Sequence, residues 1–90
     1  MNSEIFEEAG RRVFFEIVAD ILHACNGTIG KTFLMYRCNM NFSQLSGYLK
    51  LIFDAQLIEI RNEEPHVLFK ISHKGKRFLK AYENLKALTR

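Results

Sequence analysis

IGKTFLMYRCNMNFSQLSGYLKLIFDA, residues 29–55, is the stretch that decides the fold. Two helices are legible in it, separated by a tight break at Asn39-Met40-Asn41. The first is expected from about Ile29 to Arg37, with Thr28 as its N-cap and Leu34, Met35 and Cys38 on its buried side. The second is expected from Phe42 to about Ala55. Asn41 can cap it with Gln44 at the third position, a variant of the capping box, and Met40 and Leu45 sit where a hydrophobic staple would sit. Leu45, Tyr48, Leu49, Ile52 and Phe53 share one face of that helix; Ser43, Ser46, Gly47, Lys50 and Asp54 fill the other, with Gln44 at the margin. Two short helices joined this closely have the dimensions of a helix-turn-helix.

Upstream, residues 11–25 also read as a helix. Phe14, Ile17, Val18, Ile21, Leu22 and Cys25 fall on one face, while Arg12, Glu16, Ala19 and His23 fall opposite. Asn26-Gly27 ends it, glycine supplying a left-handed cap. Residues 1–9 form an extension that either continues this helix or frays, and Gly10 weighs against a rigid continuation.

Downstream the period changes. Leu57-Ile58-Glu59-Ile60-Arg61 and Val67-Leu68-Phe69-Lys70-Ile71 are rich in β-branched and aromatic residues and partly alternate, with the turn-forming Asn62-Glu63-Glu64-Pro65-His66 between them. This predicts a β-hairpin. Ser72 then caps a last helix to about Leu88, with Phe78, Ala81, Tyr82, Leu85 and Leu88 on its apolar side. The expected class is α+β, mainly α, in one domain: a three-helix bundle with a helix-turn-helix, a two-stranded β-hairpin and a C-terminal helix. A hairpin directly after a helix-turn-helix is the winged-helix arrangement.

Composition agrees with a folded domain. Ninety residues suffice for one core without metals or disulfides, and 48% are hydrophobic, with eight Phe and no Trp. Cys25 and Cys38 are too few for a disulfide framework and are expected as buried reduced thiols. The sequence contains no apolar run of membrane-spanning length, and Met1-Asn2-Ser3-Glu4 does not open a secretory signal, so a cytoplasmic location is expected. The net charge of +3 is unevenly spread. Glu4, Glu7 and Glu8 lie in the first nine residues, whereas Lys74, Lys76, Arg77, Lys80, Lys86 and Arg90 face only Glu83 in the last nineteen. That asymmetry suits a negatively charged partner as well as it suits a solvated basic helix.

Lys31-Thr32-Phe33-Leu34-Met35-Tyr36, Asn39 to Leu45, Tyr48-Leu49, Leu57-Ile58-Glu59, Ile71 to Gly75 and Phe78-Leu79 together resemble the archaeal winged-helix regulators related to a small crenarchaeal chromatin protein. The likeness is a fold-wide pattern over roughly residues 11–85. It implies a DNA-binding protein, a transcriptional regulator or chromatin-type protein associated with the nucleoid, that dimerises through its final helix. This chain departs from that family in two places: Ser46 and Gly47 stand where lysines are usual, and the wing tip carries Glu63 and Glu64.

With that fold, the third helix is the candidate recognition helix. Gln44 can pair bidentately with adenine, Ser43 and Ser46 can bond bases or phosphates, and Lys50 suits guanine or phosphate. Gly47 permits a close backbone approach, or is simply tolerated. Lys31 and Thr32, and more weakly Arg37, are candidate phosphate contacts from the helix that crosses the backbone. Lys74, Lys76, Arg77 and Lys80 can hold flanking phosphates. Leu85 and Leu88, with Tyr82, extend the apolar stripe of the last helix and are candidates for a two-fold dimer interface. A fold-back onto the first helix is the other option.

Other chemistry finds no support. Gly27-Thr28-Ile29-Gly30-Lys31-Thr32 is not a phosphate loop, because Cys25 stands where its first glycine belongs and a helix precedes it. His23 and Cys25 point apart on one helix, and His66 and His73 lack partners at metal-ligand spacing, so neither metal nor cofactor is expected. Glu63 and Glu64 are adjacent carboxylates on a solvated tip, not an acid–base pair, and no enzyme is expected. The rival reading is a winged-helix protein-interaction module without DNA binding, favoured by Ser46, Gly47 and the acidic wing tip.

Overall fold

The computed structural model describes Ser3 to Thr89, with side-chain environments from Val13 onward. Its elements run α1 (Ser3–Ala24), β1 (Ile29–Gly30), α2 (Lys31–Cys38), α3 (Phe42–Asp54), β2 (Ile58–Glu63), β3 (His66–Ile71) and α4 (His73–Leu88). The result is a mainly helical winged helix with one antiparallel sheet, ordered β1-β3-β2.

α1 contributes Val18, Ile21 and Leu22 to the core, the spacing that lines one helical face, and Cys25 joins them from the turn just past its end. It continues through Gly10 to Ser3. Arg12, placed on the solvent face by the pattern, lies outside the residues whose side chains are described. Ala19 was expected on that face too and is instead buried, 3% exposed. The reason is α4, which packs along α1: Phe15 and Phe78 stack with ring centroids 6.3 Å apart, and His23 Nε2 lies 3.2 Å from Glu83 Oε1. Gly27, at φ +123°, turns the chain at a value that L side chains rarely adopt.

The segment after that turn corrects two expectations. Ile29 and Gly30 form a strand rather than the start of a helix, pairing with Phe69 and Leu68 of β3, so the sheet has three strands where two were expected. The helix therefore starts at Lys31 with Gly30 as its N-cap and no side-chain cap; Thr28 does not cap it. At the far end Asn39 takes the left-handed conformation (φ 51°), and the Met40 N–H returns to the Met35 carbonyl at 3.1 Å. Leu34 is buried, with Met35 and Cys38 partly so, as the pattern required.

α3 starts with the expected capping box. The Gln44 N–H donates to Asn41 Oδ1 at 2.8 Å, and the Asn41 N–H donates to Gln44 Oε1 at 3.3 Å. Leu45, Leu49 and Ile52 fill the core, and Tyr48 stacks on Phe14 at 5.7 Å. Phe53, counted with that apolar face from the sequence, is exposed. β2 and β3 pair in register from Ile58↔Ile71 to Glu63↔His66, a longer ladder than expected that leaves Glu64-Pro65 as the turn. Ile58, Phe69 and Ile71 are buried at its base, while Glu59 to Val67 are exposed, so the hairpin projects from the bundle as a wing. Among the described residues no helix is long and apolar enough to cross a membrane.

Candidate nucleic-acid interface

Ser43, Gly47 and Lys50 follow one another at helical spacing along α3, and all three are exposed. Asp54 continues the stripe. No part of the described chain covers Gly47: a methyl group added there would meet no atom within 4 Å. The centre of the exposed face is therefore bare backbone by choice of residue, not by packing. Gln44 stands beside the stripe, exposed, with its carbonyl oxygen engaged in the capping box. Its amide N–H groups remain as donors, so its reach toward a bidentate partner trades against the cap.

Lys31 and Ser46, fifteen positions apart in the sequence, form one unit in the structure. Lys31 opens α2 half-buried, and its Nζ donates to Ser46 Oγ at 2.8 Å. The same ammonium stands 3.8 Å from the centroid of the Phe42 ring. Phe42 and Ser46 are one helical turn apart, so a single cation on α2 clamps the first turns of α3. Thr32 and Arg37, also on α2, are exposed. The exposed aromatics of this region escaped the sequence reading: Phe33, Tyr36 and Phe42 are 71%, 81% and 61% exposed. For Phe33 and Tyr36 the signal that could have found them is their position off the α2 face marked by Leu34 and Cys38.

The basic start of α4 forms a second surface. Lys74, Arg77 and Lys80 edge an open hollow of about 570 Å³ whose apolar side is Leu57, Phe78 and Ala81. Lys76 is exposed on the same helix. Glu63 and Glu64 are exposed at the wing tip. At the other end of α4, Tyr82 is half-buried. Its hydroxyl pKa is raised by desolvation and by the carboxylates Glu16, Glu83 and Asp20. Leu85 and Leu88 point to solvent, 61% and 83% exposed, so the fold-back on α1 does not reach them. Among the described residues no group of His, Cys, Asp or Glu is arranged to hold a metal ion.

A family model described as winged helix-turn-helix matches residues 11–90. Among solved structures, the chain is similar to Sso10a-2, a DNA-binding protein from Sulfolobus solfataricus, with a TM-score of 0.76 and 25% identity over 83% of this chain and 79% of that one. It is also similar in fold to NadR, solved with 4-hydroxyphenylacetate, at a TM-score of 0.62 and 16% identity over 100% of this chain and 82% of that one. No curated protein matches the chain in sequence.

Proposed function

Because this chain belongs to the winged helix-turn-helix family, we propose that it binds double-stranded DNA, with α3 entering the major groove, as a single winged-helix domain. Its role is recognition rather than catalysis, and we assign it to transcriptional regulation or DNA organisation in the nucleoid. The observation that carries this reading is the uncovered stripe Ser43, Gly47 and Lys50, flanked by Gln44 and supported by the cationic start of α4. A helix whose exposed face carries Ser43 and Gly47 can approach base edges closely. Likeness to a DNA-binding protein of the same fold supports it.

In the same reading, Thr32 and Arg37 on α2 and Lys74, Lys76 and Arg77 on α4 contact phosphates, Lys31 doing so with the N–H donors not given to Ser46. The protein acts as a homodimer through Tyr82, Leu85 and Leu88 of α4. Half-sites then stand about 34–36 Å apart, one turn of duplex, if both recognition helices enter the same face.

Selection of bound duplexes from a random pool, followed by titration at two salt concentrations, tests the proposal. A DNA binder enriches a sequence and loses affinity steeply with salt. In a Gln44→Ala, Lys50→Ala variant the preference falls, while Lys74→Ala and Arg77→Ala weaken all sequences alike. No useful duplex affinity at either salt would instead favour a protein-interaction module, for which the acidic wing tip and exposed Phe33 and Tyr36 are the suited features.

A further inference from the structure

Phe42 is a large apolar ring in the first turn of α3, and it stays 61% exposed although the core begins three residues later at Leu45. Its ring and the backbone beneath it are both restrained by contacts. The Lys31 ammonium lies over one face of the ring, 3.8 Å from its centroid, and is itself tied to Ser46 Oγ at 2.8 Å. The backbone under the ring is fixed by the Asn41–Gln44 capping box. A rigid exposed aromatic loses little freedom when something covers it, which favours binding over a mobile side chain. Its position flanks the stripe of Ser43, Gly47 and Lys50 at the end of the helix that leads into a groove in this fold.

Among base edges in the major groove, the apolar group that an aromatic side chain can contact is the 5-methyl of thymine. We infer that Phe42 is a specificity-determining residue that reads a thymine methyl, with Lys31 as the residue that positions its ring. This inference rests on the DNA-binding proposal above. It gives Lys31 a role distinct from phosphate neutralisation: its charge orients an apolar contact.

The test replaces each thymine of the selected duplex in turn with deoxyuridine, which removes the methyl group and nothing else, and measures affinity of the unaltered protein. One position per half-site is expected to lose roughly fourfold in Kd, the worth of one buried methyl group. Phe42→Ala is expected to bind the thymine and deoxyuridine duplexes equally, and Lys31→Gln to narrow the difference between them, both at unchanged far-UV circular dichroism. If the protein binds a selected duplex yet treats thymine and deoxyuridine alike at every position, the role of Phe42 is overturned and DNA binding stands. If it binds no duplex at all, the DNA-binding proposal falls and takes this inference with it. A Phe42→Ala variant that kept the thymine preference would assign the methyl contact to another residue and overturn the inference too.

Discussion

The hydroxyl of Ser72 donates to the backbone carbonyl of Gln56 at 2.6 Å, joining residues sixteen positions apart. The same oxygen accepts the Gly75 N–H at 2.9 Å, and the Ser72 N–H donates to the Leu57 carbonyl at 3.0 Å. One serine thus caps α4 and locks that helix to the segment leaving α3. Gly75 lies in this joint because nothing larger fits: a Cβ there would overlap the Leu57 carbonyl oxygen and stand 2.7 Å from Ile71 Cγ1. Ser72→Ala is expected to cost about 1–2 kcal/mol, the usual worth of a lost cap. Gly75→Ala is expected to cost about 3 kcal/mol or more, because a backbone carbonyl cannot yield as a side chain can. Thermal unfolding of both variants checks the ranking, and a Gly75→Ala midpoint at or above that of Ser72→Ala would contradict this packing.

Much of this joint was legible in the sequence, and the reason is locality. A Ser before a helix and an Asn-x-x-Gln before another are short-range signals, and both caps form as read. The three-helix, hairpin, helix order follows from periodicity for the same reason. What was not legible is what depends on partners far along the chain. Ile29-Gly30 is too short to show a period and becomes a strand only because β3 lies beside it. Thr28 had the chemistry of a cap, but the helix starts after that strand. Ala19 is buried because α4 covers a face whose neighbours Glu16 and His23 marked it as solvated. The Lys31–Ser46 bond spans fifteen positions and two helices, so each residue read alone carried no sign of the other.

Burial pushes the Cys25 thiol from 9.0 up to about 12, with a smaller contribution from Cys38, whose own thiol is raised chiefly by burial. The raised value means that the folded state keeps a proton which the unfolded chain gives up. The corresponding stability is complete below about pH 9 and is lost as pH rises from there toward 12. Urea midpoints measured from pH 8 to 11 are expected to fall, and Cys25→Ala to flatten that decline while lowering the midpoint at pH 8. In native protein iodoacetamide is expected to modify half-buried Cys38 first and Cys25 only on unfolding. Equal labelling rates would show that the α1 end opens far more readily than its packing implies.

Gly47 separates stability from binding. With no atom within 4 Å of an added methyl group and helical backbone on both sides, Gly47→Ala is expected to raise stability by about 1 kcal/mol. On the proposed DNA-bound arrangement that methyl stands in the space the duplex backbone or base edges occupy, so affinity is expected to fall severalfold while the melting temperature rises. A variant that gained both stability and affinity would mean that no close approach occurs at the centre of α3.

The wing tip makes an electrostatic prediction. Glu63 ends β2 and Glu64 opens the turn to β3, and both are exposed at the tip of the wing. Carboxylates beside a phosphate chain oppose counterion release, so Glu63→Gln, Glu64→Gln is expected to tighten duplex binding at low salt and to have a vanishing effect at high salt. Indifference at both salt concentrations would place the wing away from the duplex.

Leu85 and Leu88 are one helical turn apart at the end of α4, beyond the reach of α1, and 61% and 83% exposed. Apolar side chains so placed contribute nothing to the monomer core, so charging them should leave the fold intact while removing any contact with a second copy. On the proposed homodimer, Leu85→Glu, Leu88→Glu is expected to halve the mass measured by light scattering. Melting should change only by the part that depends on protein concentration. Duplex binding should then follow a single half-site, with a shallower salt dependence because fewer phosphates are engaged per complex. An unchanged dimer mass in this variant would move the two-fold contact off the end of α4, and an unaltered protein that is already monomeric would remove the paired half-sites from the proposal altogether.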